Sequence, residues 1–327
     1  MSGERFEREF EEIMSLIDRH ETVLVMGHVD PDGDCIGSML SLALMLRTIG
    51  RKVACYAPGE MPELFEKLPG FEMMTTLERA RDMDYDLVIA VDCPTTGRTE
   101  NIVRPCRGDD IVNIDHHPTN QRYGCVNVVD EEAASTTMLI YRLMRSRAPE
   151  MITPEIAGCL YLGILMDTGG FRFQNTTADA LRTAGELVDL GADAYGLTHE
   201  FIYMKEFRSL KLLGLVLDTL ELHLDGRAAT MCVTRDMLDR TGTEMKDSEG
   251  FVDYGAALDD VELIALLREA SPDETRVSLR SRNSHDVSAL AERFGGGGHL
   301  RAAGLVLEEG IETSKGIILE GFAGLMG

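Results

Sequence analysis

The sequence predicts an α/β fold: a mostly parallel sheet with helices on both faces, followed by a smaller α/β domain with a mixed sheet. Two observations lead to this prediction. Short apolar segments alternate with segments of helical periodicity through the first part of the chain, which is typical of strands joined by helices in a parallel sheet. From about residue 220 the apolar segments become shorter and more strand-like, which indicates a second domain.

The predicted elements follow in chain order. The first domain is expected to contain strands at residues 22–26, 53–56, 87–91 and 111–114, with helices at 5–20, 38–49, 135–145 and 154–165. Residues 176–217 are expected to be largely helical. The second domain is expected to contain strands at 228–233, 261–267, 277–280 and 305–307, with a helix at 286–294. Because 327 residues exceed what one core usually supports, we divide the chain into residues 1–190, a helical linker at 191–218, and residues 219–327.

Composition excludes several classes of protein. The 32 basic and 56 acidic residues give a net charge of −24, which argues against binding long duplex DNA but not against a short anionic substrate. No apolar run reaches the roughly 18 residues that a membrane span needs, and the charged N-terminus lacks the apolar core of a signal peptide. We therefore expect a cytoplasmic protein without a membrane partner. Seven cysteines without a CxxC pair indicate neither a disulfide framework nor a zinc ribbon.

The segment GHVDPDGDCIGS at residues 27–38 is the first candidate site. It follows an apolar strand and supplies His28, Asp30, Asp32 and Asp34 on a turn bent by proline and glycine. Carboxylates this close repel each other unless water or a cation surrounds them. We expect His28, Asp32 and Asp34 to bind metal, with Asp30 the weakest candidate. The alternative is a turn whose aspartates only cap the following helix.

Three further polar positions end apolar segments. Asp92 follows the strand LVIAV, the segment DHH (residues 115–117) follows IVNI, and Asp167 ends an apolar helix before two glycines. Since ligands bind beyond the carboxyl ends of strands in open α/β sheets, we expect the clusters that follow strands, at residues 28–34, 92 and 115–117, to meet at one edge. Neighbouring side chains on an extended backbone point to opposite sides, so His116 and His117 are expected to face apart and do different work. Asp167 taken alone is better explained as a helix end.

Together these motifs resemble the DHH phosphoesterase superfamily, and GGGGHLRAAG at residues 295–304 resembles its DHHA1 domain. The layout is most similar to the oligoribonuclease and phosphoadenosine-phosphate phosphatase group. The resemblance implies a catalytic domain, with the second domain across a cleft. It implies two divalent cations, Mn²⁺ by preference and Mg²⁺ as the alternative. One would be bound by His28 and Asp32, the other by Asp34, His116 and Asp167, with Asp92 bridging them. His117 would contact the scissile phosphate and act as general acid.

The second domain would then select the substrate. The strand VSLRSR is predicted to carry Arg280 and Arg282 on one face. The resemblance adds Ser281, His299 and the glycines at 296–298 as substrate contacts, for which a flexible loop before a strand is the alternative. The expected substrate is short RNA or a nucleotide. A homodimer is one option for the oligomeric state, which the sequence leaves open.

Competing functions remain at this point. A cyclic-dinucleotide or linear-dinucleotide phosphodiesterase would use the same metal ligands. A manganese pyrophosphatase would share the first domain but lack the GGGGH loop, and a processive single-strand nuclease would be longer and less acidic. A catalytically inactive binding protein on the same fold is the alternative outside enzymes. The complete ligand set disfavours it, because such a carboxylate cluster is costly without cations.

Overall fold

A computed structural model describes residues 6–59, 61–82, 84–99, 110–282 and 285–327. The chain divides into two compact units, Met1–Met204 and Lys205–Gly327. The predicted α/β class is confirmed in both units. The functional domain boundaries at residues 190 and 219 stay a prediction. No helix in the described part of the chain is long and apolar enough to cross a membrane.

The first unit contains one five-stranded parallel sheet in the order β2-β1-β3-β4-β5. Its strands are β1 (Thr22–Met26), β2 (Lys52–Tyr56), β3 (Leu87–Val91), β4 (Ile111–Asp115) and β5 (Val126–Val129). Its helices are α1 (Glu7–Arg19), α2 (Gly33–Thr48), α3 (Leu77–Asp82), α4 (Thr136–Arg147), α5 (Pro154–Asp167), α6 (Ala178–Asp189) and α7 (Ala194–Thr198). Short 3₁₀ helices at Glu63–Lys67, Phe71–Met73, Thr96–Thr99 and Pro149–Met151 and a π-helical turn at His199–Tyr203 complete the unit.

Helices cover both faces of this sheet. The larger core lies on the side of α1, α2, α4 and α5, and a smaller cluster with Tyr85 and Ala80 lies on the side of α3. Every residue of α2 from Gly33 to Leu46 is buried, because the helix lies among the sheet, α4 and α5. A helix that is apolar all round is typical of such a central position.

The second unit contains a six-stranded mixed sheet in the order β10-β11-β9-β8-β7-β6. Its strands are β6 (Glu221–His223), β7 (Ala228–Val233), β8 (Leu263–Ser271), β9 (Glu274–Ser281), β10 (Gly297–His299) and β11 (Ala302–Leu307). Its helices are α8 (Phe207–Leu217), α9 (Arg235–Thr241), α10 (Val252–Ala256), α11 (Val287–Glu292) and α12 (Ile311–Met326), with a 3₁₀ turn at Met245–Ser248. One core packs around α8 and α10 and the other around α11 and α12.

Several sequence-based details were wrong. The helix expected at 38–49 begins at Gly33, because the Asp32 side chain accepts hydrogen bonds from the Asp34 and Cys35 amides and caps it. Strand β5 and helix α12 were not predicted. Arg282 lies beyond the end of β9, so it does not continue the strand face of Arg280. Of the cysteines, Cys125 is exposed, five others are buried free thiols, and Cys106 lies outside the described residues.

Helices α2 and α5 pack closely because glycine occurs where they meet. An added Cβ at Gly37 would lie 2.4 Å from the Cys159 carbonyl oxygen, a main-chain atom that cannot rotate away. We expect Gly37→Ala to lower the free energy of unfolding by about 1–3 kcal/mol through overpacking. Urea unfolding of the purified protein measures it. Gly185→Ala is the matched control, since its Cβ would meet nothing within 4 Å, and it should stabilise α6 by about 0.5–1 kcal/mol. Equal effects of the two variants would contradict the packing argument.

Candidate active site

The polar motifs of the first unit meet at one edge of the parallel sheet. They follow β1, β3 and β4, and β1 lies between β2 and β3. The strand order therefore changes direction beside β1, and such a switch point opens a crevice at the carboxyl ends of the strands. The sequence-based expectation that these motifs share one edge agrees with the fold.

Asp92 lies at the centre of the cluster. Its side chain is almost completely buried, and its backbone adopts a left-handed conformation with φ of 54° directly after β3. His28 Nε2 lies 3.3 Å from Asp92 Oδ2, His116 Nε2 lies 3.6 Å from Oδ1, and the Thr136 hydroxyl donates to Oδ1 at 3.0 Å. Strained backbone at a non-glycine residue is typical of functional sites, and here it turns the carboxylate towards both imidazoles.

His28 and His116 are held in the same way. The Nδ1 of His28 lies 2.7 Å from the Val29 carbonyl oxygen, and the Nδ1 of His116 lies 3.2 Å from that of Ala133. Each Nδ1 therefore donates to a main-chain carbonyl, which leaves Nε2 unprotonated in the neutral ring and directed at carboxylates. A carbonyl that fixes the far ring nitrogen is the usual support of a metal-binding histidine.

His117 is held differently. Its Nδ1 lies 2.8 Å from Asp115 Oδ1 and 3.5 Å from Asp92 Oδ1, and Asn120 Nδ2 donates to Asp115 Oδ2 at 2.5 Å. The expectation that His116 and His117 face apart is wrong, since their ring centroids are 4.6 Å from each other. The physical reason is that β4 ends at Asp115, so side-chain alternation no longer applies to the next two residues. Their different partners still separate the two rings chemically.

Asp34 is anchored by the start of α4. The Thr136 and Thr137 amides donate to its two carboxylate oxygens at 2.6 and 3.0 Å, and the residue is fully buried. The amides of a helix N-terminus favour negative charge, so this contact offsets part of the cost of burying Asp34. One ligand atom each from Asp34, His116 and Asp167 lie within 4.8 Å of one another.

Asp32 is less firmly placed among the ligands. Its Oδ1 caps α2 and lies 3.9 Å from His28 Nε2, while 54% of its side chain is exposed. Asp32 therefore caps α2, as the alternative to metal binding holds, and it also lies near His28. Asp30 is exposed with φ of 52°, away from these contacts, as expected for the weakest candidate.

The acidic groups of the cluster are strongly perturbed. Burial, together with the charges of Asp92 and Asp32, raises the pKa of Asp34, and burial with the charges of Asp34 and Asp32 raises the pKa of Asp167. Burial would also raise the pKa of Asp92, but hydrogen bonding to His28 and the charges of His116 and His117 hold it below its usual range. Asp34 and Asp167 are thus short of neighbouring positive charge.

The pKa values of two imidazoles are also raised, although burial acts to lower them. Burial would lower the pKa of His28, but its neighbours Cys35 and Asp92 outweigh burial and raise it to about 12. Burial also acts to lower the pKa of His117, and the hydrogen bond to Asp115 leaves it raised. These raised pKa values mean that bound protons supply positive charge beside the clustered carboxylates.

The donor set fits divalent cations. Carboxylate oxygens and imidazole nitrogens suit Mn²⁺ and related ions. Three overlapping groups each bring their ligand atoms within 4.8 Å of one another: His28, Cys35 and Asp92; Asp92, His116 and His117; and Asp34, His116 and Asp167. Asp92 is common to two groups and His116 to two, which is the pattern expected for neighbouring ions that share a ligand.

The residues expected to contact substrate in the second unit lie at one end of its sheet. In the strand register, His299 pairs with Ala302, which pairs with Arg280, and the Ser281 amide donates to the Arg301 carbonyl at 3.0 Å. Gly297 and Gly298 lie in the edge strand β10, and Gly296 directly precedes it. The Arg280 guanidinium donates to Asp253 at 3.1 Å, and the Ser281 hydroxyl donates to the His285 carbonyl at 2.7 Å. The side chain of His299 is outside the described part.

Sequence reasoning missed four side chains at the first unit's cluster. Thr136, Cys35 and Asn120 contact predicted residues, and Arg98 Nη2 lies 3.4 Å from His28 Nδ1. Cys35 lies within the segment GHVDPDGDCIGS, and Asn120 lies three residues after the DHH segment, so the sequence already places both near predicted ligands. Thr136 and Arg98 approach only through the fold, and nothing local in the sequence marks them.

The fold and the cluster together define a metal-dependent phosphoesterase of the DHH type. A family model described as "DHH family, N-terminal domain" matches residues 22–164, and one described as "DHHA1 domain" matches residues 227–318. Enzymes of this family depend on divalent metal ions.

Curated relatives narrow this class. The chain is 35% identical over 289 residues to the "Bifunctional oligoribonuclease and PAP phosphatase NrnA" of Thermus thermophilus, covering 88% of this chain and 84% of that protein. It is 28% identical to the Bacillus subtilis protein of the same name, covering 90% and 91%. The chain therefore belongs to the NrnA family of DHH hydrolases. Its fold also matches an exopolyphosphatase-related protein from Bacteroides fragilis with a TM-score of 0.90 at 25% identity, covering 96% of this chain and 95% of that one. The predicted family is confirmed.

Metal binding should release protons. Because the pKa of His28 is raised to about 12 and that of Asp34 lies above its usual range, the metal-free cluster holds protons that a cation must displace. Mn²⁺ affinity should therefore rise with pH between about 6 and 8, with roughly one or more protons released per chain. Titration calorimetry in buffers of different ionisation enthalpy measures the release. Asp30→Asn should behave like the unaltered protein. Affinity independent of both pH and buffer would contradict this account of the cluster.

Proposed function

We propose that this protein hydrolyses the phosphodiester bonds of short oligoribonucleotides and removes a phosphate from phosphoadenosine phosphate. We further propose that two divalent cations take part, with Mn²⁺ preferred to Mg²⁺. The names of the Thermus thermophilus and Bacillus subtilis relatives support the substrate class. The single observation that supports the chemistry is the placement of two carbonyl-anchored imidazoles against the buried Asp92 carboxylate.

The proposed ligands are His28, Asp32, Asp34, Asp92, His116 and Asp167. Divalent cations at such a site lower the pKa of bound water and offset negative charge on phosphate oxygens. Asp92 is the proposed shared ligand, because its two oxygens face different histidines: Oδ2 faces His28, and Oδ1 faces His116. The Thr136 hydroxyl would keep that carboxylate in orientation through its hydrogen bond to Oδ1.

His117 is the proposed contact to the scissile phosphate and the general acid. Asp115 accepts from its Nδ1, so Nε2 is the nitrogen that can address a leaving oxygen. The raised pKa of His117, to which Asp115 contributes against burial, favours the protonated ring that an acid requires. His116, by contrast, has its Nδ1 against the Ala133 carbonyl and its Nε2 directed at carboxylates, which suits a ligand.

The second unit is proposed to bind the rest of the substrate through Arg280, Ser281, the glycines at 296–298, and His299. Their common position at one end of the mixed sheet supports this assignment. A Cβ on Gly296 or Gly298 would lie within 2.4 Å of a main-chain oxygen, so these positions need glycine for close strand packing as well.

A substrate panel tests the function as a whole. Purified protein is stripped with chelator, reloaded with Mn²⁺ or Mg²⁺, and incubated with pApA, phosphoadenosine phosphate, cyclic di-AMP or pyrophosphate. We expect release of AMP from the first two, and little turnover of pyrophosphate. Preferential cleavage of cyclic di-AMP would replace the proposed substrate by a cyclic dinucleotide. Absence of both Mn²⁺ binding and turnover would indicate an inactive binding protein.

Loss of the Asp92 charge should remove activity. Asp92→Asn preserves the side-chain shape and tolerates the positive φ, but it removes one anion that we assign to both cations. Turnover of pApA should fall by about 10³-fold or more, in line with the loss of a group on which metal-ion catalysis depends. Asp30→Asn is the matched control, since Asp30 has a similar positive φ and is exposed outside the cluster. Comparable rates for the two variants would rule out the shared-ligand role.

The role of His117 can be separated from that of the ligands by the choice of leaving group. His117→Asn should slow hydrolysis of pApA by about 10²–10⁴-fold, the usual contribution of a general acid. A p-nitrophenyl ester of AMP needs no protonation of its leaving oxygen, so its hydrolysis should be affected much less. His116→Asn should impair both substrates and lower Mn²⁺ content. Equal losses of both substrates in the His117 variant would contradict its assignment as the acid.

A further inference from the structure

Arg98 lies at the candidate active site, and among the residues that the structure describes it has no acidic partner. It belongs to the short 3₁₀ turn Thr96–Thr99, and its carbonyl accepts from the Val29 amide at 2.9 Å. This main-chain hydrogen bond ties the turn to the segment that carries His28. The Arg98 side chain is half-buried, and its Nη2 lies 3.4 Å from His28 Nδ1.

The contact with His28 does not neutralise Arg98. Nδ1 of His28 already donates to the Val29 carbonyl at 2.7 Å, so Nδ1 and Nη2 are both donors and cannot form a hydrogen bond with each other. In the part of the chain that the structure describes, no carboxylate lies within ion-pair distance of Arg98. Arg142 and Arg147 of the same unit, which are similarly half-buried, each pair with two acids.

An unpaired, half-buried guanidinium is unexpected in a protein with a net charge of −24. Removing a charge from water costs free energy unless a partner offsets it, and the many acidic side chains of this chain offer partners readily. The position therefore indicates an anionic partner that the polypeptide does not itself supply. A planar guanidinium matches the paired oxygens of a phosphate group.

The position of Arg98 indicates which phosphate group of the substrate it would bind. His28 and His117 both lie against Asp92, so Arg98, beside His28, is at the same end of the sheet as His117. The Arg98 charge also reaches His117, where it acts with burial to lower the pKa that Asp115 raises. We propose that Arg98 binds the non-bridging oxygens of the scissile phosphate from the His28 side of the cluster, an inference that rests on the proposed phosphoesterase function.

This role differs from that of a residue that merely orients His28. The Val29 carbonyl already fixes the His28 ring through Nδ1, so loss of Arg98 leaves the metal ligands in place. What it removes is positive charge next to a phosphate whose non-bridging oxygens gain negative charge as the nucleophile attacks. Arg98 therefore acts on both substrate binding and the rate of the chemical step.

Three variants of the full chain test the proposal. Arg98→Ala removes the guanidinium, Arg98→Lys retains a charge but not the paired donors, and Arg182→Ala is the control. Arg182 is 68% exposed on α6 and pairs only weakly with Asp179 at 3.7 Å. For each we measure bound Mn²⁺ by elemental analysis, affinity of the Mn²⁺-loaded protein for inorganic phosphate by calorimetry, and kcat and KM for pApA and phosphoadenosine phosphate.

We expect Arg98→Ala to retain its Mn²⁺, to bind inorganic phosphate at least about 10-fold more weakly, and to lose about 100-fold in kcat/KM, as when one donor to a developing charge is removed. Arg98→Lys should fall between this variant and the unaltered protein, and Arg182→Ala should match the latter. Loss of Mn²⁺ from Arg98→Ala would overturn the proposal in favour of a role in holding His28. Unchanged phosphate affinity would overturn it outright.

The same design separates this inference from the proposed function. If the unaltered protein hydrolyses no substrate of the panel, the phosphoesterase function fails, and the phosphate titration of the Mn²⁺-loaded variants still decides the role of Arg98. If the unaltered protein is active and Arg98→Ala is equally active, only the inference about Arg98 fails.

Discussion

The burial of the Asp92 carboxylate is the constraint on which the rest of the site depends. A buried ion is costly unless opposite charge and hydrogen bonds surround it. Here the partners come from three parts of the chain: His28 after β1, His116 and His117 after β4, and the Thr136 hydroxyl at the start of α4. Each arrives at the same sheet edge because the strands are parallel and all end there. The fold thus brings together groups that are more than 100 residues apart.

Helix packing serves the same cluster. Gly163 on α5 has no side chain, and a Cβ there would lie 2.4 Å from Thr137 and 2.5 Å from Asp34. The missing side chain lets α5 approach the start of α4, where the Thr136 and Thr137 amides bind Asp34. Asp167, the last residue of α5, therefore reaches His116 at 3.2 Å. The lack of a side chain at Gly163 therefore helps to position Asp167, a proposed metal ligand.

The sequence predicted the strands before the motifs well, because each is an apolar run stopped by an acid: β1 and β3 have the predicted bounds. It did not predict β5, whose four residues include Asn127, or α12, where three glycines weaken the helical signal. It placed the proposed metal ligands at one edge but misjudged His116 and His117, since alternation requires an extended backbone. The contacts of Thr136 and Arg98 depend on tertiary approach, which no local pattern encodes.

Charge explains how so acidic a protein can act on a polyanion and why short substrates suit it. A long nucleic acid needs many basic side chains along its path, and a net charge of −24 repels the segments that extend beyond the site. A nucleotide or a very short RNA experiences mainly the electrostatic field at the site itself. There, three imidazoles and the unpaired Arg98 lie beside the carboxylates, and cations would make the field positive. Repulsion by the acidic surface would therefore disfavour longer nucleic acids.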